Sequence, residues 1–402
     1  MKRINLLIAP TLLAVSVLLA PATAKAQDAK KAEFESTWYD ACYTSRDRQK
    51  CYELSKELVA KYPQSAYLTN AQGQITTHDR NKAAEKFQAD LQAYYNPPQE
   101  AAELEQLFAS GEAYLKFVPD DPFVVAHQAL AGINAALGQR YQNLEKVKGY
   151  ADPALKSFAA ASPAEGWKAE DWATMRNLVL AQGNQFLGWV LINQDPDPAK
   201  IPKNDLEQAL KYLSRAIQVR SADGTGWKDP HNYWLRSIVY SNQYGELRRS
   251  YDAMSDEQKL GETGKEVLKQ VNDLLDATLI PEYARVLATA TKPETQHFYE
   301  AAKPWFEAFW RYRTNDPAKA SAYVKNYVGD PPVASVAVPV KAEDTDPPIA
   351  PATGPTNLKL SAGGASAVPG AGAKVSPNGN GGKSKSSKKT TKTPPKRKGK
   401  KR

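Results

Sequence analysis

The stretch 204–219, NDLEQALKYLSRAIQV, constrains the fold more than any other part of the chain. Its small and apolar residues fall at fixed helical offsets: Ala209, then Leu213 four residues on, then Ala216 three further. Residues spaced this way share one face of a helix, and the small ones let a second helix come close. A single amphipathic helix of this length is marginal in water, so its apolar face must be met by another element. Upstream, Leu187-Gly188 followed by Leu191 offers a matching face.

The same periodicity recurs along the chain, cut into segments by proline and glycine. Residues 33–62 read as a helical hairpin with a turn at 45–48: Phe34, Trp38, Ala41 and Cys42 on one helix, Cys51, Leu54, Leu58 and Val59 on the other, ended by Pro63. A further pair of helices is expected over 66–95, stopped by Pro97-Pro98, and another helix over 101–118. Residues 123–137 follow, with Gly138 where a left-handed cap would sit. Next comes 141–158, disturbed at Pro153, and then Ser162-Pro163, which has the form of a helix start. Helices are expected over 169–193, 204–219, 230–251, 294–313 and 317–327. The region from Ser255 is interrupted at Gly261 and Gly264, and broken or kinked at Pro281. Strand-like alternation is absent before Pro331; residues 333–340 alternate but have no partner strand. The fold class expected is all-α.

Charge divides the chain into a body and a tail. Of 53 Lys and Arg residues, 13 lie in 347–402, where no Asp or Glu occurs; residues 1–346 carry 40 basic against 44 acidic side chains. From 330 onward the sequence is rich in proline, glycine and alanine and poor in the aromatic and leucine side chains that build a core, so 330–402 is expected to be disordered. At the other end, Met1-Lys2-Arg3, an apolar run over 4–19 and Ala24-Lys25-Ala26 make an export signal occupying 1–26. That run is shorter than the roughly 20 residues of a spanning helix. No cysteine marks a lipid attachment point, and no later run reaches spanning length, so a soluble, exported mature chain is expected, periplasmic or secreted. Its folded part would be 27–329.

Two cysteines, Cys42 and Cys51, flank the turn of the first hairpin. In an oxidising compartment an even number favours a disulfide, and facing positions near a tight turn come within the required distance. The other reading is a pair of small core residues. The spacing excludes a CxxC redox pair.

The order seen in Ala209, Leu213 and Ala216, preceded by Leu187, Gly188 and Leu191, resembles the tetratricopeptide repeat, a family of stacked antiparallel helix pairs of about 34 residues each. With Pro63 as a closing proline, Cys51 takes the small position opening a second helix and Cys42 the last core position of the first. Those positions face each other in the family, so the resemblance also implies the bridge. Ser237 with Tyr240 is a third echo. The chain departs from the family in an insert of about nine residues between the central helices, and in Leu107, Gly111 and Tyr114, which stand where small, large and small are expected. The resemblance implies a degenerate solenoid of helical hairpins that binds protein partners.

Chemical signatures are not found. The histidines, His78, His127, His231 and His297, form no HExxH pair, and no GxSxG, phosphate-loop or dinucleotide fingerprint occurs. No cofactor and no metal are expected. The densest aromatic cluster includes Trp305, Phe309, Trp310 and Tyr312; it reads as core and terminal cap, or as a partner groove flanked by Arg311 and Arg313. Lys388, Lys389, Lys396, Arg397, Lys398, Lys400, Lys401 and Arg402 give the tail dense charge without aromatics, suited to anionic surfaces or polymers rather than to base reading. Together these features give an exported interaction scaffold: a body for a protein partner and a tail tethered to polyanions. An envelope enzyme of helical-bundle type and a nucleic-acid-binding protein are the competing readings.

Overall fold

The computed structural model describes residues 20–195, 197, 200–221, 224–329 and 336–339, with backbone alone at 20–26. Among these the protein is helical, without strands; one isolated bridge joins Arg220 and Gly226. In order, the helices are α1 (Ala20–Tyr39), α2 (Arg48–Lys61), α3 (Leu68–Tyr95), α4 (Ala101–Leu115), α5 (Pro122–Leu137), α6 (Leu144–Ser157), α7 (Ala169–Ile192), α8 (Lys203–Gln218), α9 (Pro230–Asp252), α10 (Asp256–Leu260), α11 (Glu262–Leu274), α12 (Ile280–Thr289), α13 (Gln296–Thr314) and α14 (Ala320–Lys325). Most pack on their neighbours in the chain, and α5, α7 and α9 also pack on one another in series. The core follows the chain as three successive clusters, around Trp38, around Leu130 and around Tyr283.

Local chemistry sets the boundaries. Asp121 and Asp229 cap α5 and α9 by accepting from backbone N–H groups of the first turn, each followed by proline, whose missing N–H is no loss there. Ser255 and Gln258 form a reciprocal capping box at α10. Asp47 caps α2.

The first hairpin closes through a π turn, Asp40–Thr44, that extends α1. It carries Cys42 to within 4.8 Å, Cα to Cα, of Cys51, and the two are disulfide-bonded. The cluster beneath is small: Trp38, Leu58 and Ala71, with the Trp38 indole donating to Ser55 at 2.8 Å. Replacing both cysteines by serine removes a constraint on a short loop, worth about 2–3 kcal/mol. In a serial array that loss stays local. Amide exchange is expected to quicken in α1 and α2 and to stay unchanged from α5 onward.

Several expectations need correction. The span 66–95 holds one helix, α3 (Leu68–Tyr95), not two; its first half packs on α2 through Ala71 and its second on α4 through Phe87, Leu91 and Tyr94, so a single long element serves both neighbours. Gly138 has φ −77°, and the left-handed residue after α5 is Gln139. Ser162-Pro163 starts no helix: α7 begins at Ala169, and the preceding loop is held by Trp167, whose ring meets Phe158 and Trp172. Pro281 does not break the chain; a π turn, Leu275–Leu279, passes straight into α12, and proline's missing N–H falls in the first turn after it. Residues 336–339, within the span expected to be disordered, pack against α14, with Val338 buried. The expected leader lies outside the described residues over 1–19, as does most of the expected tail, including Lys388, Lys389, Lys396, Arg397, Lys398, Lys400, Lys401 and Arg402.

Candidate functional site

The structure brings the central small-residue set together between α7 and α8. A Cβ placed on Gly188 would lie 2.8 Å from Leu213 Cγ and 3.4 Å from the Ala209 carbonyl oxygen. The Leu213 side chain therefore packs onto the bare Cα of Gly188, where a Cβ would crowd it and α7 and α8 would have to give. Leu187 is buried in the preceding cluster, and Leu191 packs on the following one with Ala209 and Leu213; Ala216 is fully buried. The seam thus joins one helix pair to the next. Sequence reading missed a second instance: Gly132 in α5 sits against Phe108 and Val147, and a Cβ added there would stand 3.1 Å and 3.2 Å from them. Its signal was the small-residue run around it in α5.

The aromatic residues expected as a possible partner groove are chiefly core, which corrects that alternative. Phe309 and Trp310 are buried, and Trp305 and Tyr312 are half-buried against the same cluster. The Trp310 indole donates to the Asp316 carbonyl at 2.7 Å, and the Tyr312 hydroxyl bonds Asn272. Arg313 does not flank a groove either; it is buried and forks onto Asp276 at 2.9 and 2.7 Å. Asp276 lies in the π turn. Arg311 is exposed.

Open aromatic surface lies at the other end of the body. Tyr39 and Tyr43 are 49% and 39% exposed, with ring centroids 5.0 Å apart, and Tyr67 stands 6.5 Å from Tyr39. The disulfide and the π turn fix this group on a rigid hairpin. Sequence periodicity could not separate it from the core, since Tyr39 and Tyr43 adjoin Trp38 and Cys42, which point inward or half inward. Nearby, Arg48, Gln49, His78, Asn81, Lys82 and Glu85 line a cleft of about 160 Å³, where Lys82 pairs with Glu85 at 3.1 Å and His78 stacks on Tyr52. Its groups are paired or solvated and include no nucleophile held by a base. Among the described residues no cluster of His, Cys, Asp and Glu could hold a metal, and no helix is long and apolar enough to cross a membrane.

Two imidazoles are buried without a counter-charge. His127 in α5 is fully buried against Phe123, and neither ring nitrogen bonds a protein group. His231, in the first turn of α9, stacks on Phe298. Burial pushes His127 down to about 3; burial, with the nearby His297 charge, does the same to His231. The fold keeps both neutral, whereas the unfolded chain protonates them below about pH 6.5. Their contribution is therefore present above that pH and is lost as pH falls towards 3, at about 1.4 kcal/mol per unit for each residue. Asp229, whose pKa burial raises, acts in the opposite sense. The urea midpoint is expected to fall steeply between pH 7 and pH 4.5. His127→Leu should flatten that fall and raise stability at pH 7 by about 1–3 kcal/mol, because an unsatisfied N–H is removed.

Compared with known proteins, the chain matches no family model, no curated protein and no solved structure, so a functional reading rests on this geometry and on the sequence.

Proposed function

We propose that the protein is an exported interaction scaffold of tetratricopeptide-like helical pairs, with a basic tail that tethers it to an anionic surface or polymer. The observation that carries the reading is the repeated seam. Gly132 against Val147 and Gly188 against Leu213 place a glycine of one helix on a large apolar residue of the next, in successive pairs. Stacks of this kind present long surfaces to partners rather than one enclosed pocket. The disulfide is compatible with an oxidising compartment. A protein partner would use the Tyr39 and Tyr43 surface beside the half-buried Tyr67, where two rigid aromatic rings already stand in water.

Three measurements test the parts separately. N-terminal sequencing of the mature chain should give Gln27 as its first residue. Glutamine at the nine basic positions from Lys388 to Arg402 should abolish low-salt co-sedimentation of the full chain with vesicles rich in anionic lipid; equal binding by both forms at low and high salt rejects the tether. Tyr39→Ala with Tyr43→Ala should remove a partner captured from an envelope fraction while leaving vesicle binding intact. Nucleic acid as the tail's target would instead appear as nuclease-sensitive retention.

A further inference from the structure

The far end of the body holds an extended segment in an unusual way. The Tyr323 hydroxyl donates to the Val336 carbonyl at 2.9 Å, and the Val336 N–H donates to the Tyr327 hydroxyl at 3.0 Å. The two hydroxyls, one helical turn apart on α14 and just beyond it, are 3.0 Å from each other. Both backbone groups of one residue are thus taken by a pair of tyrosines, as a neighbouring strand would take them. Two residues on, Val338 is buried in the cluster containing Tyr323 and Tyr327, while Ala337 and Pro339 are exposed. The slot therefore takes the backbone of its first residue, half-covers that residue's side chain, and buries an apolar side chain at its third. Its hydrogen bonds are indifferent to the side chain at the first.

The sequence offers that pattern twice. Val336-Ala337-Val338-Pro339 occupies the slot, and Ser366-Ala367-Val368-Pro369 repeats it further along. Ser366 supplies the same N–H and C=O as Val336, though not its half-buried apolar side chain, and Val368 the same apolar side chain as Val338. We infer that the α14 slot is a docking site for extended x-Ala-Val-Pro peptide, and that 366–369 of the same chain is its second occupant, exchanging with 336–339. The exchange is intramolecular, so the second segment is present at high effective concentration; the longer loop it closes makes it the weaker competitor only gradually.

Valine-selective methyl NMR on the full chain tests this without reference to any partner. In the native protein the Val338 methyls should show the shifts of a side chain packed among aromatic rings, and Val368 those of a solvated valine. In Val338→Asp the Val368 methyls should move to ring-shifted positions, and in Val338→Asp with Val368→Asp no tail valine should do so. The double variant should then bind a labelled GASAVPG peptide at least tenfold more tightly than the native chain, whose slot is filled. Should aspartate unravel α14, Val338→Thr, which keeps the shape and loses an apolar methyl, replaces it. Val368 methyls that keep their solvated shifts in the single variant overturn the proposal.

Discussion

Glu282→Ala is expected to cost about 3–5 kcal/mol, the largest loss from any single charged residue in the body. Glu282, on α12, is only 1% exposed. Its Oε1 accepts from Arg285 on the same helix at 2.6 Å and faces Arg236 of α9 at 3.2 Å. Both guanidinium groups are themselves largely buried, with side chains 13% and 18% exposed. Removing the carboxylate leaves two like charges side by side where water cannot screen them, which is why deletion costs more than the pair is worth intact. Glu282→Gln should fall between, since it keeps an acceptor but not the charge. Glu282 Oε2 bonds no protein group, so the native arrangement is itself imperfectly satisfied. Replacing the set together, Arg236→Met, Glu282→Leu and Arg285→Met, should therefore recover most of the loss. The recovery should stop short by about 1 kcal/mol, because Arg285 also lies over the Tyr327 ring at 5.0 Å. Urea unfolding of the four proteins at pH 7 measures this. A loss below 1 kcal/mol for Glu282→Ala would mean that the arginines find water.

This ion cluster was invisible in the sequence, and the reason is general to the fold. Helix periodicity tells which residues share a face, and it placed most helices because proline, aspartate and serine mark their ends chemically: Pro122, Pro230 and Ser255 stand where the structure starts a helix. It does not tell what lies opposite a face. Arg236 and Glu282 meet only because α9 and α12 pack, and nothing local to either announces the other. The same limit explains the aromatics. Trp305, Phe309, Trp310 and Tyr312 have the spacing of a docking face but pack into the C-terminal cluster with α12 and α14, whereas Tyr39 and Tyr43 stand in water because the chain offers no helix to cover them among the described residues. The strap at 336–339 was missed for a related reason. Its valine alternation was legible, but its partner is a pair of tyrosine hydroxyls rather than a strand. Disulfide partners, by contrast, were legible because they are near in sequence and share one turn.

Gly188→Val should unfold the centre of the array, with a loss of about 3 kcal/mol or more. The first atom added is already too close: a Cβ would stand 2.8 Å from Leu213 Cγ and 2.9 Å from its Cδ2, and Leu213 is fully buried with little room to turn. Valine adds two branches to that contact, so α7 and α8 must move apart, and with them the joint between the middle and C-terminal clusters. Gly188→Ala should cost less, because the better helix propensity of alanine offsets about 1 kcal/mol of the strain. Leu213→Ala alone leaves a cavity and should cost about 2–5 kcal/mol. Combining it with Gly188→Val gives the valine that space, so the pair should be less harmful than the sum by about 1–3 kcal/mol. Gly73 supplies the internal comparison. A Cβ there meets nothing within 4 Å, although it too lies inside a helix. Gly73→Ala should therefore stabilise by up to about 1 kcal/mol, through the backbone alone. Opposite signs at the two glycines separate a seam from a mere helix position. If alanine at both sites stabilises equally, the close approach of α7 and α8 is not what holds the array together.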